Sequence, residues 1–388
     1  MELKKKLIRT STIALSLDVL LKGQLGFLNQ HYQVIAVSGK DHHLNTVQTR
    51  EKVKTVAVTM EREISPIKDL VSLVKLYLLF KKEKPFIVHS ITPKAGLLSM
   101  IAAYFAGVPV RMHTFTGLIF PSKKGMMKQL LILMDQLLCR FATHIYPEGQ
   151  GVKKDLLAFN ITKKDLKIMA NGNVNGIDTN CYTKESIDEN EIVALRKKLE
   201  ISEDDFVYIF VGRLVKDKGI NELVTTFSNI TTHYSNAKLL LVGPQEPDLD
   251  PLDAATLAII KNNKSIIATG YQNDVRPYFA LANALVFPSY REGFPNVVLQ
   301  AGAMGLPSIV SNINGCNEII EDQINGLIIP VKDTVALETA MKRLMEDTSG
   351  YRKMQQNAQP LIVSRYEQRI VWEAILEEYR RIERHIIA

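Results

Sequence analysis

The stretch Arg291-Glu292-Gly293-Phe294-Pro295-Asn296-Val297-Val298-Leu299-Gln300 decides how this chain is interpreted. It follows the apolar run 284–288, which predicts a buried strand, and its proline stands where we expect a helix to begin. The free amides of a helix start, together with the helix dipole, favour an anion such as a phosphate. Ligands of open α/β sheets bind at the carboxyl edge of the strands, where this turn lies. The stretch therefore predicts a carboxylate, Glu292, beside an anion-binding helix start, suited to a ligand with both hydroxyls and phosphates.

A second motif follows another predicted strand, residues 206–211. Gly212 allows a sharp exit from that strand, Arg213 comes next, and Lys218-Gly219 precedes a helical pattern. An Arg and a Lys on one strand-to-helix loop suit a diphosphate, because Arg offers a planar fork and Lys a point charge. A solvated loop with two ordinary surface cations is the alternative. The strand–loop–helix setting and the Glu292 stretch favour the phosphate site.

Short apolar runs rich in Val and Ile alternate with helical patterns along the whole chain. Runs that are apolar throughout are typical of parallel strands covered by helices on both faces. Two series of them predict an α/β protein with two doubly wound, Rossmann-like domains. The predicted strands are residues 7–10, 33–38, 53–58, 86–90, 108–114, 143–146 and 167–169 in the first series, and 206–211, 238–242, 265–269, 284–288, 308–311 and 327–330 in the second.

The turn-rich segment Asn171-Gly172-Asn173-Val174-Asn175-Gly176 and the polar run after it separate the two series. We therefore expect an N-terminal domain over residues 1–180 and a C-terminal domain over 181–364. The remaining segment, 365–388, has apolar residues at helical spacing, which predicts a helix with one buried face. The residues of that face are Val371, Ile375, Tyr379 and Ile382.

Charge is distributed unevenly over the 388 residues. Residues 1–180 hold 26 Lys and Arg against 13 Asp and Glu, a net charge of +13, and residues 181–388 hold 22 against 28, a net charge of −6. The basic half predicts an anionic surface or partner. Because basic and aromatic residues do not interleave and no nucleic-acid-binding module is recognisable, we expect no nucleic-acid partner.

The cysteines and the hydropathy pattern indicate the compartment. Cys139, Cys181 and Cys316 are far apart and odd in number, so neither a disulfide framework nor a zinc site follows, and the cytoplasm is the default. No run approaches the roughly 18–20 apolar residues that a membrane span needs. We expect a cytoplasmic protein that lies at most peripherally on the inner face of the cell membrane.

Taken with Gly212-Arg213 and Lys218-Gly219, the Glu292 stretch resembles the retaining glycosyltransferases of family 4, of the capsule, O-antigen and exopolysaccharide type. These enzymes have the GT-B fold, two Rossmann-like domains that face a cleft. In GT-B proteins the terminal helix crosses back to the first domain, and the resemblance implies the same for residues 365–388. The resemblance covers most of the chain and is strongest over residues 206–330.

The resemblance implies roles for the motif residues. Arg213 and Lys218 would hold the nucleotide diphosphate, and Glu292 would accept hydrogen bonds from hydroxyls of the donor sugar. The loop after the strand 265–269 meets the nucleotide base in the family. Tyr271 in that loop would stack on the base, or else be an ordinary, partly buried loop residue. The remaining donor-binding residues are Gly212 and the helix start formed by Gly293, Phe294, Pro295, Asn296 and Val297.

Gln300 departs from the family signature, which is a Glu, seven intervening residues and a second Glu. Glu292 holds the first position and Gln300 the second, where the family Glu grips the ribose hydroxyls. Gln keeps an acceptor oxygen, loses the charge and gains donors. This change is compatible with three outcomes. The donor site is normal but holds the ribose more weakly, the nucleotide preference is changed, or the enzyme is inactive. We expect the first, because every other part of the signature is present.

The first half sets the acceptor and carries fewer signals. His113 follows a predicted strand and resembles the family histidine that lies near the transferred sugar, although a lone His after a strand is more often structural. The first loop of the fold lies in the cleft, and Lys94 follows another strand, where it would face an acceptor phosphate. The candidate acceptor-binding residues are therefore Ser11, Thr12, Lys94 and Thr116.

A basic segment, Ser122-Lys123-Lys124-Gly125-Met126-Met127-Lys128, leads into the strongly apolar residues 129–140. A basic flank beside apolar residues can dock on an anionic membrane, where each cation contributes about 1 kcal/mol. A core helix with a solvated basic end fits the same pattern. The resemblance adds that bacterial enzymes of this kind often act on a sugar linked to polyprenyl diphosphate at the inner leaflet.

We therefore expect a retaining glycosyltransferase that moves a sugar from a nucleotide donor to a glycan or lipid-linked glycan in bacterial surface polysaccharide synthesis. UDP is the expected nucleotide only because it is the commonest carrier in such enzymes. No cofactor or essential metal is expected, and Asp248-Leu249-Asp250 is interpreted as a solvated loop. The alternatives are a GT-B nucleotide-sugar epimerase and a non-catalytic nucleotide- or glycan-binding protein. Gln300 is the one feature that supports the latter.

Overall fold

Each half of the chain forms a six-stranded sheet in which neighbouring strands pair in parallel. The computed structural model describes residues 4–61 and 63–387, and the chain divides into two units. Unit 1 contains the chain up to Gly176 together with the segment from Gln368, and unit 2 contains Ile177–Glu367. The divisions fall at 176 and 367, close to the 180 and 364 expected from the sequence. Within unit 2 the Ile177 amide donates to the Tyr366 carbonyl (2.8 Å).

Unit 1 is a doubly wound sheet with the strand order β3-β2-β1-β4-β5-β6. Its elements are β1 (Lys6–Thr10), α1 (Ala14–Leu20), α2 (Gln24–Asn29), β2 (Gln33–Ser38), α3 (His42–Glu51), β3 (Lys54–Ala57), α4 (Pro66–Glu83), β4 (Ile87–Ile91), α5 (Pro93–Ala106), β5 (Val110–Phe115), α6 (Gly125–Phe141), β6 (His144–Pro147) and α7 (Gln150–Ala158).

Unit 2 repeats this architecture with the order β12-β11-β10-β7-β8-β9. Its elements are α8 (Glu189–Lys198), β7 (Phe206–Val211), α9 (Ile220–Ile230), β8 (Ala237–Val242), α10 (Ala254–Asn262), β9 (Ile266–Gly270), α11 (Arg276–Leu281), β10 (Ala284–Phe287), α12 (Asn296–Ala303), β11 (Ser308–Ser311), α13 (Cys316–Ile319), β12 (Gly326–Ile329), α14 (Thr334–Glu346) and α15 (Thr348–Tyr366). The last helix, α16 (Gln368–Ile387), belongs to unit 1.

Twelve of the predicted strands are confirmed to within two residues. The inner strands, such as β4 and β10, are buried on both faces, and the edge strands β3 and β9 are only partly buried. The prediction of a strand at residues 167–169 is wrong. Leu166 makes only an isolated bridge to Ile145, and the Lys167 ammonium binds the Glu378 carboxylate. Side-chain contacts, and not a strand ladder, hold this segment.

The sheet of unit 1 has a hydrophobic core on each face, because successive strand residues point to opposite faces. On β1, Leu7 belongs to the core that contains Trp372 of α16, and Ile8 belongs to the core that contains Met100 of α5. The buried residues of unit 2 form one continuous cluster around its sheet. Each sheet is thus covered on both faces. The loops at the carboxyl edge of the strands are where ligands of such sheets bind.

A buried polar network fastens α16 to the first sheet. Arg9 Nη1 donates to the Tyr379 hydroxyl (2.8 Å), which lies 2.6 Å from His89 Nδ1, and His89 Nε2 lies 2.8 Å from Thr114 Oγ1. Burial lowers the pKa of His89 well below its ordinary value, so the imidazole is neutral. A second buried contact, from Trp372 Nε1 to Asn175 Oδ1 (2.7 Å), holds the start of the helix.

Replacing Tyr379 with Phe should destabilise unit 1 by about 1–3 kcal/mol, because Arg9 and His89 each lose a buried hydrogen-bond partner. Trp372 is the single tryptophan of the chain, and its fluorescence in urea reports the unfolding of this region. Tyr104→Phe is the matched control, because the Tyr104 side chain is half exposed. Equal urea midpoints for the two variants would contradict the role given to the network.

Candidate functional site

The strand order of unit 2 reverses between β10 and β7, which makes this the switch point where open α/β sheets bind ligands. Both sequence motifs lie there. The loop after β7 carries Arg213 and Lys218, and the loop after β10 carries Glu292. Parallel pairing of β7 with β10 brings the two loops to the same edge of the sheet, although Lys218 and Glu292 are 74 positions apart.

Glu292 is held by two side chains from the surrounding loops. The Lys218 ammonium forms an ion pair with its Oε1, and Ser289 Oγ donates to the same oxygen at 2.8 Å. Lys218 Nζ also lies 5.6 Å from the centroid of the Phe287 ring, within reach of a cation–π interaction. The carboxylate and ammonium remain partly exposed, with 16% of each side chain accessible. A cation and a carboxylate are therefore fixed side by side and open to solvent.

Close backbone packing sets this geometry. Gly219 has φ +71°, and a Cβ there would lie 2.2 Å from the Pro288 carbonyl oxygen. In the same way, a Cβ on Gly315 (φ +74°) would lie 2.5 Å from the Gly293 carbonyl oxygen. Both positions require glycine, because the backbone of a neighbouring loop occupies the space of a side chain. The chain before Glu292 is thus packed against the turn after β7, and the chain after Glu292 is packed against the turn after β11.

Arg213 follows β7, next to a third place where a glycine lies against the backbone of a neighbouring loop. Gly212 has φ +149°, and a Cβ on Gly243 would lie 1.9 Å from the Gly212 carbonyl oxygen. The guanidinium of Arg213 donates to Glu246 Oε2 at 2.7 Å, and almost half of the Arg213 side chain is exposed. Such an exposed pair contributes at most about 1 kcal/mol, so an arriving anion can displace Glu246.

The helix start differs slightly from the expected one. Helix α12 begins at Asn296, and Pro295 is its N-cap (φ −74°, ψ 111°), not its first helical residue. The Phe294 side chain is buried against Tyr366, with ring centroids 5.5 Å apart, so only the Phe294 backbone can face a ligand. Asn296 and Val297 are half-buried at the first turn.

Gln300 has a partner that the sequence did not suggest. Its Nε2 donates to the Tyr182 hydroxyl at 2.9 Å. Burial, with a smaller effect from Cys181, raises the pKa of Tyr182 to about 12, so the phenol stays protonated. One of the two amide N–H donors of Gln300 is therefore engaged within unit 2. The acceptor oxygen is the group suited to a ribose hydroxyl. Tyr182 lies in the polar segment before α8, which has no periodic pattern that would mark it.

The other donor-side residues fall at the same sheet edge. Tyr271 follows β9 and is 71% exposed, so the alternative of a partly buried ring is wrong and its ring is available for stacking. Cys316 begins α13, and its burial, reinforced by the negative charge of Glu292, raises the pKa of its thiol well above the ordinary value. The thiol is thus protonated and lines the site as an uncharged side chain, and it does not act as a nucleophile.

The His113 ring is buried in unit 1, its Nδ1 lies 2.8 Å from Ser90 Oγ, and a Cβ on Gly96 would meet it at 2.5 Å. Burial lowers the pKa of His113 to about 3, so the ring is neutral. In this conformation the imidazole is buried between α5 and the sheet of unit 1, and the contact with the transferred sugar that the resemblance implied stays a prediction.

Lys94 does not face an open phosphate site. Its ammonium is buried and forms a salt bridge with Asp69 at 2.7 Å, with a further contact to the Glu63 carbonyl at 2.6 Å. The cation is therefore neutralised within unit 1. The expectation for Lys94 is corrected because sequence position alone does not reveal a partner on a preceding helix.

Ser11 and Thr12 lie at the switch point of unit 1, between β1 and β4. Ser11 Oγ donates to the Ile13 carbonyl at 2.6 Å, and Thr12 Oγ1 lies 2.9 Å from Thr92 Oγ1. Thr92, which sequence reasoning missed, has φ +70° and joins the two loops. Thr116 is half-buried in the loop after β5. Ser11 and Thr12 thus have internal roles in loop structure in addition to any contact with an acceptor.

The described residues show neither a metal-binding cluster nor a membrane-spanning helix. Within residues 4–61 and 63–387, no three or more His, Cys, Asp or Glu side chains are grouped so that they could hold a metal ion. None of the described helices combines the length and apolar character needed to cross a membrane. Asp248 is exposed, and Asp250 accepts a hydrogen bond from the Asp217 amide at 2.8 Å.

The chain is similar to known glycosyltransferases over most of its length. Residues 192–360 match the family described as Glycosyl transferases group 1, and residues 16–148 match Glycosyl transferase 4-like. The chain is 31% identical over 379 residues to the capsular polysaccharide biosynthesis glycosyltransferase CapM of Staphylococcus aureus, covering 97% of each protein. It is 30% identical over 291 residues to the UDP-Gal:α-D-GlcNAc-diphosphoundecaprenol α-1,3-galactosyltransferase of Escherichia coli, covering 74% of each.

Solved structures show the same fold. Anabaena HepE in complex with UDP-glucose has a TM-score of 0.80 at 17% identity, covering 97% of this chain and 100% of that one. The lipopolysaccharide glycosyltransferase WaaG has a TM-score of 0.69 at 14% identity, covering 95% and 98%. The GT-B fold is thereby confirmed, and so is the resemblance drawn from the two motifs. The chain belongs to the group 1, family-4-like glycosyltransferases.

Proposed function

We propose that the protein transfers a sugar from a UDP-sugar to a glycan carried on a polyprenyl diphosphate, with retention of the anomeric configuration, in the synthesis of a bacterial surface polysaccharide. The observation that carries this proposal is the Lys218–Glu292 pair at the switch point of unit 2. It sets a cation suited to phosphate beside a carboxylate suited to sugar hydroxyls, the two halves of a nucleotide sugar.

The relatives support the choice of donor and acceptor. By its name, the Escherichia coli relative uses UDP-Gal and acts on a sugar linked to diphosphoundecaprenol. A Campylobacter jejuni relative, 25% identical over 302 residues, is named for an acceptor of the same kind. HepE has been crystallised with UDP and with UDP-glucose. A lipid-linked acceptor also suits the excess of Lys and Arg in the first half of the chain.

In the proposed reaction the cations act on the leaving group. Arg213 exchanges Glu246 for the diphosphate, and Lys218, already fixed by Glu292 and Phe287, contacts the same group. As the bond from the anomeric carbon to the phosphate oxygen breaks, negative charge grows on the diphosphate. Fixed cations stabilise that charge more in the transition state than in the ground state. The proposal needs no metal ion for this step.

Retention follows if the acceptor attacks from the face that the diphosphate leaves. The acceptor oxygen forms the new bond to the anomeric carbon through an oxocarbenium-like state, and its proton passes to a phosphate oxygen of the departing UDP. Glu292 accepts hydrogen bonds from sugar hydroxyls and orients the ring, and it does not form a covalent bond. The amides at the start of α12 complete the contacts to the sugar and the distal phosphate. We place this reaction in the cytoplasm, at the inner face of the cell membrane.

Glu292→Ala and Arg213→Ala should each lower kcat/KM by at least about 100-fold, because each removes a fixed charge that acts on the reacting ligand. Release of UDP in the presence of a lipid-linked acceptor measures the effect. Arg343→Ala is the control, because Arg343 is an equally exposed arginine that pairs with Asp347 far from the motifs in sequence. Turnover close to that of the wild type in Glu292→Ala or Arg213→Ala would remove these residues from the mechanism.

Gln300→Glu should bind UDP as tightly as the wild type or more tightly. In the wild type the Gln300 amide donates to the Tyr182 hydroxyl, and in the variant the hydroxyl can turn and donate to the carboxylate instead. The glutamate also offers a charged acceptor to the ribose hydroxyls. Gln300→Ala lacks the acceptor and should bind about tenfold more weakly. Calorimetric titration with UDP compares the three proteins. If the glutamate variant binds no better than the alanine variant, the ribose is held elsewhere.

Gly219→Ala should abolish the rise in melting temperature that UDP gives the wild type, because a methyl group would collide with Pro288 and displace Lys218. Gly305→Ala is a matched control, since Gly305 has a similar φ of +76° but no heavy atom within 4 Å of the added methyl group. The control carries only the backbone strain, about 1–2 kcal/mol. An unchanged UDP response in Gly219→Ala would show that the close approach does not position the site.

A further inference from the structure

Helix α4 has its apolar side chains on the outside. Ile67 is 82% exposed, and the other members of the stripe are each about half exposed or more. Their spacing places them on one face of the helix, while Ser72, Leu76 and Phe80 on the opposite face are buried. The exposed stripe consists of Ile67, Leu70, Val71, Val74 and Leu78. Single exposed apolar residues are ordinary, but a continuous stripe marks an interaction surface.

Lysines follow one edge of this stripe. Lys68, Lys75 and Lys82 recur at intervals of seven residues, so they form a line along the helix. All three are exposed, and Lys68 is paired with Glu61 at 2.9 Å. The long methylene stems of such lysines can lie along an apolar surface while their ammonium groups reach outward.

Helix α6 repeats this arrangement on the other side of α5, which both helices contact. Met126 is 85% exposed, and three leucines continue its stripe at helical spacing. Lys123 and Lys124 immediately precede the helix and are exposed. The exposed members of this stripe are Met126, Leu130, Leu133 and Leu137. The inner face of α6 packs into the core through Leu138 and Cys139, as the core-helix interpretation of this segment expects, and the outer face carries the exposed stripe.

Carboxylates are absent from the exposed faces of both helices. The acidic residues of α4 and α6 are Asp69, Glu83 and Asp135. Asp69 and Glu83 are engaged by lysines, and burial raises the pKa of Asp135 to about 7. The outer surface of the two helices thus combines apolar side chains with lysines. Lys68 is paired with Glu61, which precedes α4, and neither helix presents a carboxylate of its own on that surface.

We propose that the exposed stripes of α4 and α6, with their flanking lysines, form a docking face for an anionic phospholipid bilayer. This deepens the proposed function, because it rests on an acceptor held in a membrane and assigns the surface that meets that membrane. The apolar stripes enter the boundary between headgroups and acyl chains, and the lysines contact anionic headgroups. The protein lies on the bilayer and does not cross it.

The charge pattern favours a bilayer over a second copy of the chain. A symmetric dimer through this face would bring two positive surfaces together with no exposed carboxylate of α4 or α6 to offset them. A bilayer supplies both an apolar interior and anionic groups at its edge. It also tolerates the shape of two ridges on either side of α5, because lipids adapt to the surface that they meet.

Flotation of the full-length protein with vesicles tests the docking face. We expect binding to vesicles of equal parts phosphatidylglycerol and phosphatidylcholine, and little binding to phosphatidylcholine alone. Substituting Lys75, Lys82 and Lys123 with Gln should weaken the partition by roughly a hundredfold, about fivefold for each lysine. Substituting Leu70, Val74 and Leu78 with Gln should also remove binding, and since these side chains are exposed the fold should persist.

Matched controls come from unit 2. Lys197, Lys198 and Lys264 are exposed lysines there, and Val193 and Val335 are exposed apolar residues, so their Gln variants should float like the wild type. Failure of the wild type to bind anionic vesicles, or equal loss in these controls, overturns the proposal. So does a concentration-dependent dimer in sedimentation that only the α4 apolar variant abolishes, because the face would then be a protein interface.

The assay separates this inference from the proposed function. Flotation is measured without nucleotide sugar or acceptor, and each variant is also tested for the rise in melting temperature with UDP. Variants that lose vesicle binding but keep the UDP response support the docking face. If the wild type binds vesicles and yet releases no UDP with any lipid-linked acceptor, the proposed reaction fails while the docking face stands.

Discussion

The close approach of two backbones, at Gly219 and Pro288, is the constraint on which the candidate site depends. The turn after β7 and the strand end of β10 come from distant parts of the chain, and they touch where any side chain would separate them. This contact brings the Lys218 ammonium to the Glu292 carboxylate and fixes both beside the start of α12. Because the strand order reverses between these strands, neither the sheet nor a crossover helix fills the space in front of them.

Sequence reasoning succeeded where a function leaves a local pattern. The strands are continuous apolar runs, and the donor motifs are glycines and charges at fixed offsets from strand ends, so both are visible in short windows. The prediction at residues 167–169 failed because three apolar or amphipathic residues are too few to distinguish a strand from a segment held by side chains such as Lys167. Pro295 as N-cap instead of first helical residue is an error of one position, within the uncertainty of any helix boundary.

The residues whose surroundings the sequence did not predict are those whose environment is made by distant elements. Lys94 is neutralised by Asp69 from another helix, and His113 is covered by α5 at a glycine that admits its ring. Tyr182 pairs with Gln300 across 118 positions and belongs to no periodic segment. No window of sequence contains both partners of such contacts, so burial and pairing had to come from the structure. The exposed stripe of α4 was not predicted from the sequence for a related reason. Apolar periodicity shows that a helix has an apolar face, but it does not show whether that face packs against the protein or points to solvent.

The position of α16 has a consequence for how the chain is made. Unit 1 holds the first residues and the last helix, and the whole of unit 2 lies between them in the sequence. During synthesis the first sheet emerges early, but the face that carries Arg9 and His89 stays uncovered until Tyr379 arrives some 200 residues after the rest of unit 1. Unit 2 is contiguous, so it can complete its fold first, although it emerges second. One apolar face of the N-terminal sheet therefore stays exposed to solvent during synthesis. It is buried only when the final helix has been made and packs on it.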